Sequence, residues 1–379
     1  MLTHISNNFF GSRVHSQLLA ALDRQSTNEL KQAVFCPQQK SFQDNFSVEA
    51  SERLVIWKRP ILRQWIRYMP LLKILYVFAW FTAFMHKQGH GTRFIVAHSL
   101  WSDGSIAYLY YLFTGTPYSV AVRNTDINHF IPKLPHYRWL MRRVVANAEK
   151  VVFVNGIYLK RIEKVAPKLV GSIRSSTTIY NGIASSWFEP YTNQVKERPP
   201  QVCFLGSFFK NKNLKNSVAA IAALRSNDLA VKFCAVGGTE QEFLCVTGLA
   251  EVPDWVHIHE KTSEKDVLKR HLSNSRVFLM PSFKETFGLV YIEALSQGCA
   301  IVHSKNEGID GVFQEEFIRS VDPNNVNDIA KQVETLLYQF PHGVNRSDVD
   351  RLLPQFDWNL IAQQYLEFIK YHLERQIVE

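Results

Sequence analysis

Cysteine is sparse and scattered: Cys36, Cys203, Cys234, Cys245 and Cys299 are spread over 379 residues, with no C-x-x-C pair and no local Cys/His metal spacing. That argues against a disulfide scaffold and gives no expectation of a bound metal. At least three of these thiols lie in apolar runs that read as buried strands or helices, so a reduced state and a cytosolic setting are expected. Met1-Leu-Thr-His-Ile lacks a basic start, an apolar core and a small-residue cleavage site, so no secretion signal is read there. The apolar stretch Leu71–Met85 contains Lys73 and is shorter than the ~20 residues a spanning helix needs. No repeat of short period and no low-complexity tract is found.

What is present is apolar and basic. With 46% hydrophobic and 13% aromatic residues the chain is globular, and its length suits two or three domains. A net charge of +9 points to a polyanionic partner, whether nucleic acid, an anionic bilayer or a phosphate-bearing ligand. Short apolar runs alternate with helical patterns, the organisation of parallel sheets covered by crossover helices. The runs are Phe94–His98, Ser119–Arg123, Lys150–Val154, Thr177–Tyr180, Gln201–Leu205, Ala230–Val236, Val256–His259, Arg276–Met280 and Ala300–His303. Between two such series, Tyr191–Pro200 is polar, proline-ended and without periodicity, which reads as a linker. Domains are therefore expected at 1–195, joined by the helical pattern at 358–379, and at 200–355.

The most informative segment is Pro281–Val302. A buried strand ends at Pro281, and a helical pattern runs from about Gly288 to Gln297. Glu285 falls in the intervening loop and Glu293 about two turns into the helix. Helix-start amides attract anions, and a carboxylate that accepts two hydroxyl hydrogen bonds holds a ribose or pyranose. A pair of carboxylates also suits glycoside hydrolysis, where both flank the scissile bond.

The string Pro-Ser-Phe-Lys-Glu-Thr-Phe-Gly-Leu-Val-Tyr-Ile-Glu (281–293) resembles the signature of family 4 glycosyltransferases, the retaining GT-B group. Other segments resemble the family in the same order. They are the loop Phe9–His15 with Gly11, the strand-to-helix stretch Phe94–Tyr108, Thr116–Asp126, and Asn181-Gly182-Ile183. The resemblance implies an α/β fold of two Rossmann-like domains facing across a cleft, with a C-terminal helix crossing back to the first. It also implies transfer of a sugar from a UDP- or GDP-sugar to a saccharide or lipid-linked acceptor by a hexosyltransferase, without a metal or other cofactor. The nearest approach to an Asp-x-Asp is Asp126-Ile127-Asn128, which reads as a turn.

Within the second domain, Val202–Ala220 is a strand, a Lys/Asn-rich loop and a helix. The family places an arginine just after Gly206 and a lysine further on, both directed at the diphosphate. Here the lysine is Lys212 and the arginine position holds Ser207, which removes a bidentate phosphate contact. By resemblance, Lys212 and the amides of Phe287, Gly288 and Leu289 serve the phosphates, Glu293 the ribose and Glu285 the donor sugar. Gly237, Gly238 and His259-Glu260-Lys261 border the base. In the first domain His98, Arg123 and Asp126 stand at or just past strand ends and are expected to meet the acceptor.

Arg59, Arg63 and Arg67 recur every fourth residue after Pro60, which reads as the start of a basic amphipathic helix leading into Leu71–Met85. That pattern suits peripheral attachment to the inner face of the cytoplasmic membrane, consistent with capsule or lipopolysaccharide synthesis. A core helix explains Leu71–Met85 equally well. Two other function classes stay open: a nucleotide-sugar epimerase, and a non-catalytic carbohydrate-binding GT-B scaffold.

Overall fold

Runs of β-branched and aromatic residues flanked by helical periods become two parallel sheets, each covered by helices. The computed structural model describes residues 1–7, 9–11, 13–26, 30–39, 41, 42, 44, 48, 50–89, 91–190 and 199–375. Met1–Gly182 with Trp358–Glu379 make one unit and Ile183–Asp357 the other. The division thus falls at Gly182, ahead of the expected linker, of which residues 191–198 lie outside the described ones.

The first unit holds β1 (Leu2–Ile5), β2 (Gln32–Gln39), β3 (Leu54–Leu62), β4 (Phe94–Ala97), β5 (Tyr118–Val122), β6 (Lys150–Phe153) and β7 (Ser176–Thr178), ordered β3-β2-β1-β4-β5-β6-β7. Its helices are α1 (Arg13–Gln25), α2 (Pro70–Gln88), α3 (Ser102–Thr114), α4 (Ile131–Lys133), α5 (Arg138–Asn147), α6 (Ile157–Val165), α7 (Pro167–Val170) and the C-terminal helix Trp358–Arg375. Successive strand residues serve opposite faces. Ile5, Ile95 and Ala97 join a core with Phe35, Phe81, Val120 and Met141. Leu2, Phe94 and Val96 pack instead on Leu18 and Leu22 of α1 and on Ile361, Tyr365 and Ile369. The C-terminal helix is therefore part of the first unit's core. Each large side chain fully buried in these layers contributes about 1.5–3 kcal/mol.

The second unit repeats the plan with β8 (Gln201–Leu205), β9 (Lys232–Val236), β10 (Val256–His259), β11 (Val277–Met280), β12 (Ala300–Ser304) and β13 (Ile318–Val321), ordered β10-β9-β8-β11-β12-β13. Around them lie α8 (Leu214–Ser226), α9 (Glu240–Thr247), α10 (Lys265–Ser273), α11 (Leu289–Ser296), α12 (Val326–Gln339) and α13 (Arg346–Leu352). In each sheet the order reverses next to the first strand, between β1 and β4 and between β8 and β11. Those reversals open crevices at the strands' carboxyl ends, where open α/β sheets bind ligands.

One expectation is corrected. Pro60 does not start a helix: Leu54–Leu62 is extended and pairs with β2 in parallel, Arg59 lying opposite Pro37. Its β-branched and aromatic residues, Val55, Ile56 and Trp57, favour the pleat, and an edge strand tolerates proline and charge because its outer amides need no partner. Gln64–Tyr68 is a short 3-10 turn, and the helix begins at Pro70, where a missing N–H costs nothing. Arg59, Arg63 and Arg67 therefore do not share a helix face. Helix α2 settles the reading of Leu71–Met85 by division: Ile74, Val77, Phe81, Phe84 and Met85 are buried, while Leu71, Leu72, Leu75 and Trp80 are exposed. Among the described residues no helix is long and apolar enough to cross a membrane.

Candidate active site

At the β8/β11 crevice two loops are tied together. Phe283 N–H donates to the Asn211 carbonyl at 2.7 Å, and the Asn213 amide donates to the carbonyls of Pro281 (3.0 Å) and Pro323 (2.7 Å). Asn213, at φ +58°, turns the chain sharply into α8. This framing brings Lys212 and Glu285, 73 residues apart, into an ion pair with Nζ to Oε2 at 2.6 Å. The other Glu285 oxygen accepts from the Thr286 N–H at 3.0 Å. The Glu285 side chain is 8% exposed and that of Lys212 24%. The carboxylate is fixed, while the ammonium keeps access to solvent.

Gly288 caps α11 at φ +77°, and a Cβ there would stand 2.4 Å from the Tyr291 ring. Tyr291 is held in turn by donating its hydroxyl to the Met280 carbonyl at 2.6 Å. The helix start beside Glu285 is thus closed to side chains, which keeps backbone amides approachable. Phe287 is buried against Phe356 and Leu289 is half-buried, so Phe287 offers the crevice backbone rather than its ring. Glu293 lies in α11, half-buried. Burial raises its carboxyl to about 7, with Lys265 pulling the other way. Gly206 and Ser207 are half-buried just after β8, and Lys210 and Lys215 are exposed. Position 207, where an arginine is expected, holds a serine.

In the first unit the β1/β4 crevice carries a relay that the sequence alone does not reveal. The Gln32 amide N–H donates to the Leu19 carbonyl (3.3 Å), which aims its oxygen at His4 Nε2, 3.2 Å away. His4 Nε2 must then carry the proton, leaving Nδ1 to accept from His98 Nε2 at 3.1 Å. His98 Nδ1 is left as a bare acceptor, buried without a hydrogen-bond partner among the described residues. His15 packs edge-on to the His98 ring at 4.7 Å. Burial lowers all three imidazoles, His4 to about 4.

Arg123 donates through Nε to the His98 carbonyl (3.0 Å) and through Nη1 to Asn181 (3.3 Å), so it braces the ends of β4 and β5. Asp126 is fully buried and accepts from the amides of Leu100, Trp101 and Arg123, each at 3.0 Å. That engagement makes it a loop-positioning residue. Burial pushes its carboxyl up while the amides and Arg123 counter. Nearby Asp103, which accepts from Ser102, is raised by burial to about 7. Gly11 closes the 3-10 turn Phe9–Gly11 ahead of α1, and residue 12 of that loop lies outside the described ones.

The neutral state of His4 carries a pH signature. An unfolded imidazole binds a proton near pH 6.5, whereas folded His4 does so near pH 4. Its stabilisation is complete above pH 6.5 and shrinks as pH falls toward 4, by about 1.4 kcal/mol per unit. In urea unfolding, His4→Gln is expected to lose about 2 kcal/mol less than wild type between pH 7 and pH 5. Equal losses would mean that His4 is already charged or exposed.

Residues 186–343, which contain both Lys212 and Glu285, match the glycosyl transferases group 1 family. That segment covers most of the second unit and less than half of the chain, and over it the chain is similar to the glycosyltransferase family. A curated relative, N,N'-diacetylbacillosaminyl-diphospho-undecaprenol alpha-1,3-N-acetylgalactosaminyltransferase of Campylobacter jejuni, is 24% identical over 61% of this chain. The chain spans 60% of that relative's length. The fold is GT-B, similar to sucrose-phosphate synthase from Thermosynechococcus elongatus, with a TM-score of 0.70 at 18% identity over 100% of this chain and 98% of that one. It is also similar to an E. coli trehalose-6-phosphate enzyme bound with UDP-2-fluoro glucose, with a TM-score of 0.68 at 12% identity over 97% and 98%. Within this GT-B chain, Lys212, Glu285 and the Gly288 turn meet at one crevice and His98 and Arg123 at another.

Proposed function

We propose that this protein is a retaining hexosyltransferase that moves a sugar from a UDP- or GDP-sugar to a saccharide or lipid-linked saccharide during cell-surface polysaccharide synthesis. The observation that carries the reading is the Lys212–Glu285 pair, set at the β8/β11 reversal beside a glycine-opened helix start. Breaking the bond between C1 and phosphate leaves positive character on the ring and negative charge on the diphosphate. In this scheme the incoming diphosphate draws Lys212 from Glu285, and the carboxylate turns to the sugar hydroxyls. As the C1–phosphate bond breaks, the acceptor oxygen bonds to C1 from the same face and its proton passes to the departing phosphate, so no protein nucleophile is needed. Glu293 holds the ribose. His98 Nδ1 accepts a hydrogen bond from a substrate hydroxyl at the first unit's crevice, and Arg123 supplies positive charge there.

The lipid-linked acceptor draws support from the relative named for a diphospho-undecaprenol substrate. NMR of the product is expected to show the donor's anomeric configuration retained in a new glycosidic bond. An inverted linkage would overturn retention, and a free epimerised nucleotide-sugar would identify an epimerase.

Membrane attachment is the finer part of the proposal. The exposed apolar residues Trp65, Met69, Leu72, Leu75 and Trp80 lie on the turn before α2 and on α2 itself. A cavity of about 550 Å³ lined by Pro60, Ile61, Arg63 and Tyr76 adjoins them, and Arg59 and Arg63 are exposed. Apolar side chains rimmed by arginine suit an anionic bilayer surface. Cosedimentation with anionic liposomes should weaken with salt and in Arg59→Glu/Arg63→Glu. Equal cosedimentation of wild type and variant would rule this surface out.

A further inference from the structure

Among the described residues, one cluster of metal-ligating side chains has no part in the transfer step proposed above. Cys234 in the middle of β9, His259 at the end of β10 and His271 in the last turn of α10 bring one ligand atom each to within 4.8 Å of the others. Cys234 Sγ and His271 Nδ1 are 3.6 Å apart, and the His259 and His271 ring centres 4.2 Å apart. Zinc bonds of ~2.3 Å to sulfur and ~2.0 Å to nitrogen, at tetrahedral angles, require about 3.5 Å between S and N. The Cys–His separation already meets that requirement.

We propose that Cys234, His259 and His271 form a zinc site with a fourth position open toward solvent. The donor set selects the metal. One thiolate with two imidazoles suits zinc, and with no carboxylate among the three it is poor for calcium or magnesium. Cys234 is buried and His271 half-buried, so these two are placed by the fold, while exposed His259 gives the ion a way in. Cys203 sits beside Cys234 in register on β8. A second thiol beside a metal-bound sulfur is the kind of outer support that orients a ligand. On binding, the Cys234 proton leaves to solvent and its sulfur bonds the metal. The ion joins two strands and a helix whose ligands are far apart in sequence, which is why no local spacing marks the site.

The test uses the full chain without a histidine tag, equilibrated with zinc and freed of excess by gel filtration. Elemental analysis should find one zinc per chain, and cobalt in its place should give a sulfur-to-metal charge-transfer band. Cys234→Ser should abolish the band. His259→Gln, at an exposed position, should fold as wild type yet bind zinc at least about tenfold more weakly. Zinc should raise the melting temperature of wild type and not of His259→Gln. If Cys234→Ser fails to fold, His259→Gln alone decides. Substoichiometric zinc in wild type, or equal zinc affinity in wild type and His259→Gln, would overturn the site.

Discussion

Lys212→Ala and Glu285→Gln are each expected to lower kcat for donor turnover by about 10²- to 10³-fold, the usual cost of removing one preorganised electrostatic group. The two side chains touch in the unliganded protein and are proposed to act on the same departing diphosphate and sugar. Their effects should therefore overlap, and the double variant should be little slower than the worse single one. Stability separates them. Lys212→Ala leaves Glu285 almost buried with its charge met by the Thr286 N–H and hydroxyl, at a cost of about 1–3 kcal/mol. Glu285→Gln keeps the shape and removes the charge that must be matched. Multiplying losses in the double variant would show that the two act independently.

Gly237→Ala should be the most destructive single methyl in the second unit. Gly237 has φ +139°, and a Cβ there would lie 2.2 Å from the Gly206 carbonyl oxygen and 2.6 Å from its carbon. Both neighbours are backbone, so no rotamer change relieves the clash. The close approach is enforced by Gly206 N–H donating to the Val236 carbonyl and Gly237 N–H to the His259 carbonyl, both at 2.9 Å. Alanine must separate the loops after β8 and β9, with an expected loss of about 3 kcal/mol or more in urea unfolding. Gly248 is the control. It too has positive φ, at +79°, but nothing lies within 4 Å of its Cβ direction, so Gly248→Ala should cost only about 1–2 kcal/mol of backbone strain. Similar losses at the two positions would mean that the loops do not approach this closely.

Legibility followed burial. The inner strands β4, β5, β6, β8, β9, β11 and β12 are near-continuous apolar runs because both of their faces are covered, and such runs stand out in a sequence. Four strands escaped notice. Leu2–Ile5 alternates with Thr3 and His4, Gln32–Gln39 is buried but broken in sequence by Gln32, Pro37 and Gln38, Leu54–Leu62 carries Lys58, Arg59 and Pro60 at a sheet edge, and Ile318–Val321 is another edge. The arginine spacing at 59, 63 and 67 imitated a helical face although it crosses an element boundary, Arg59 lying in β3, Arg63 just after it and Arg67 in the 3-10 turn. Lys212 and Glu285 were each readable from their own loops, yet their contact spans 73 residues and belongs to the fold. Isolated histidines give even less. His98 and His259 were singled out by their place at strand ends, but their histidine neighbours His4, His15 and His271 acquire meaning only when β1, α1 and β4 converge and when β10 and α10 meet Cys234 on β9. Asp126 went the other way, from an expected acceptor contact to a buried bracket for three amides.

The central claim is that the β8/β11 crevice holds a nucleotide-sugar through Lys212. Thermal melts of wild type and Lys212→Ala against a panel of UDP-, GDP- and ADP-sugars test it most directly, because a ligand of the native state raises the melting temperature. The account predicts that one nucleotide class stabilises wild type and that Lys212→Ala responds far less to the same donor. Equal stabilisation of both proteins, or none of wild type by any donor, would contradict it.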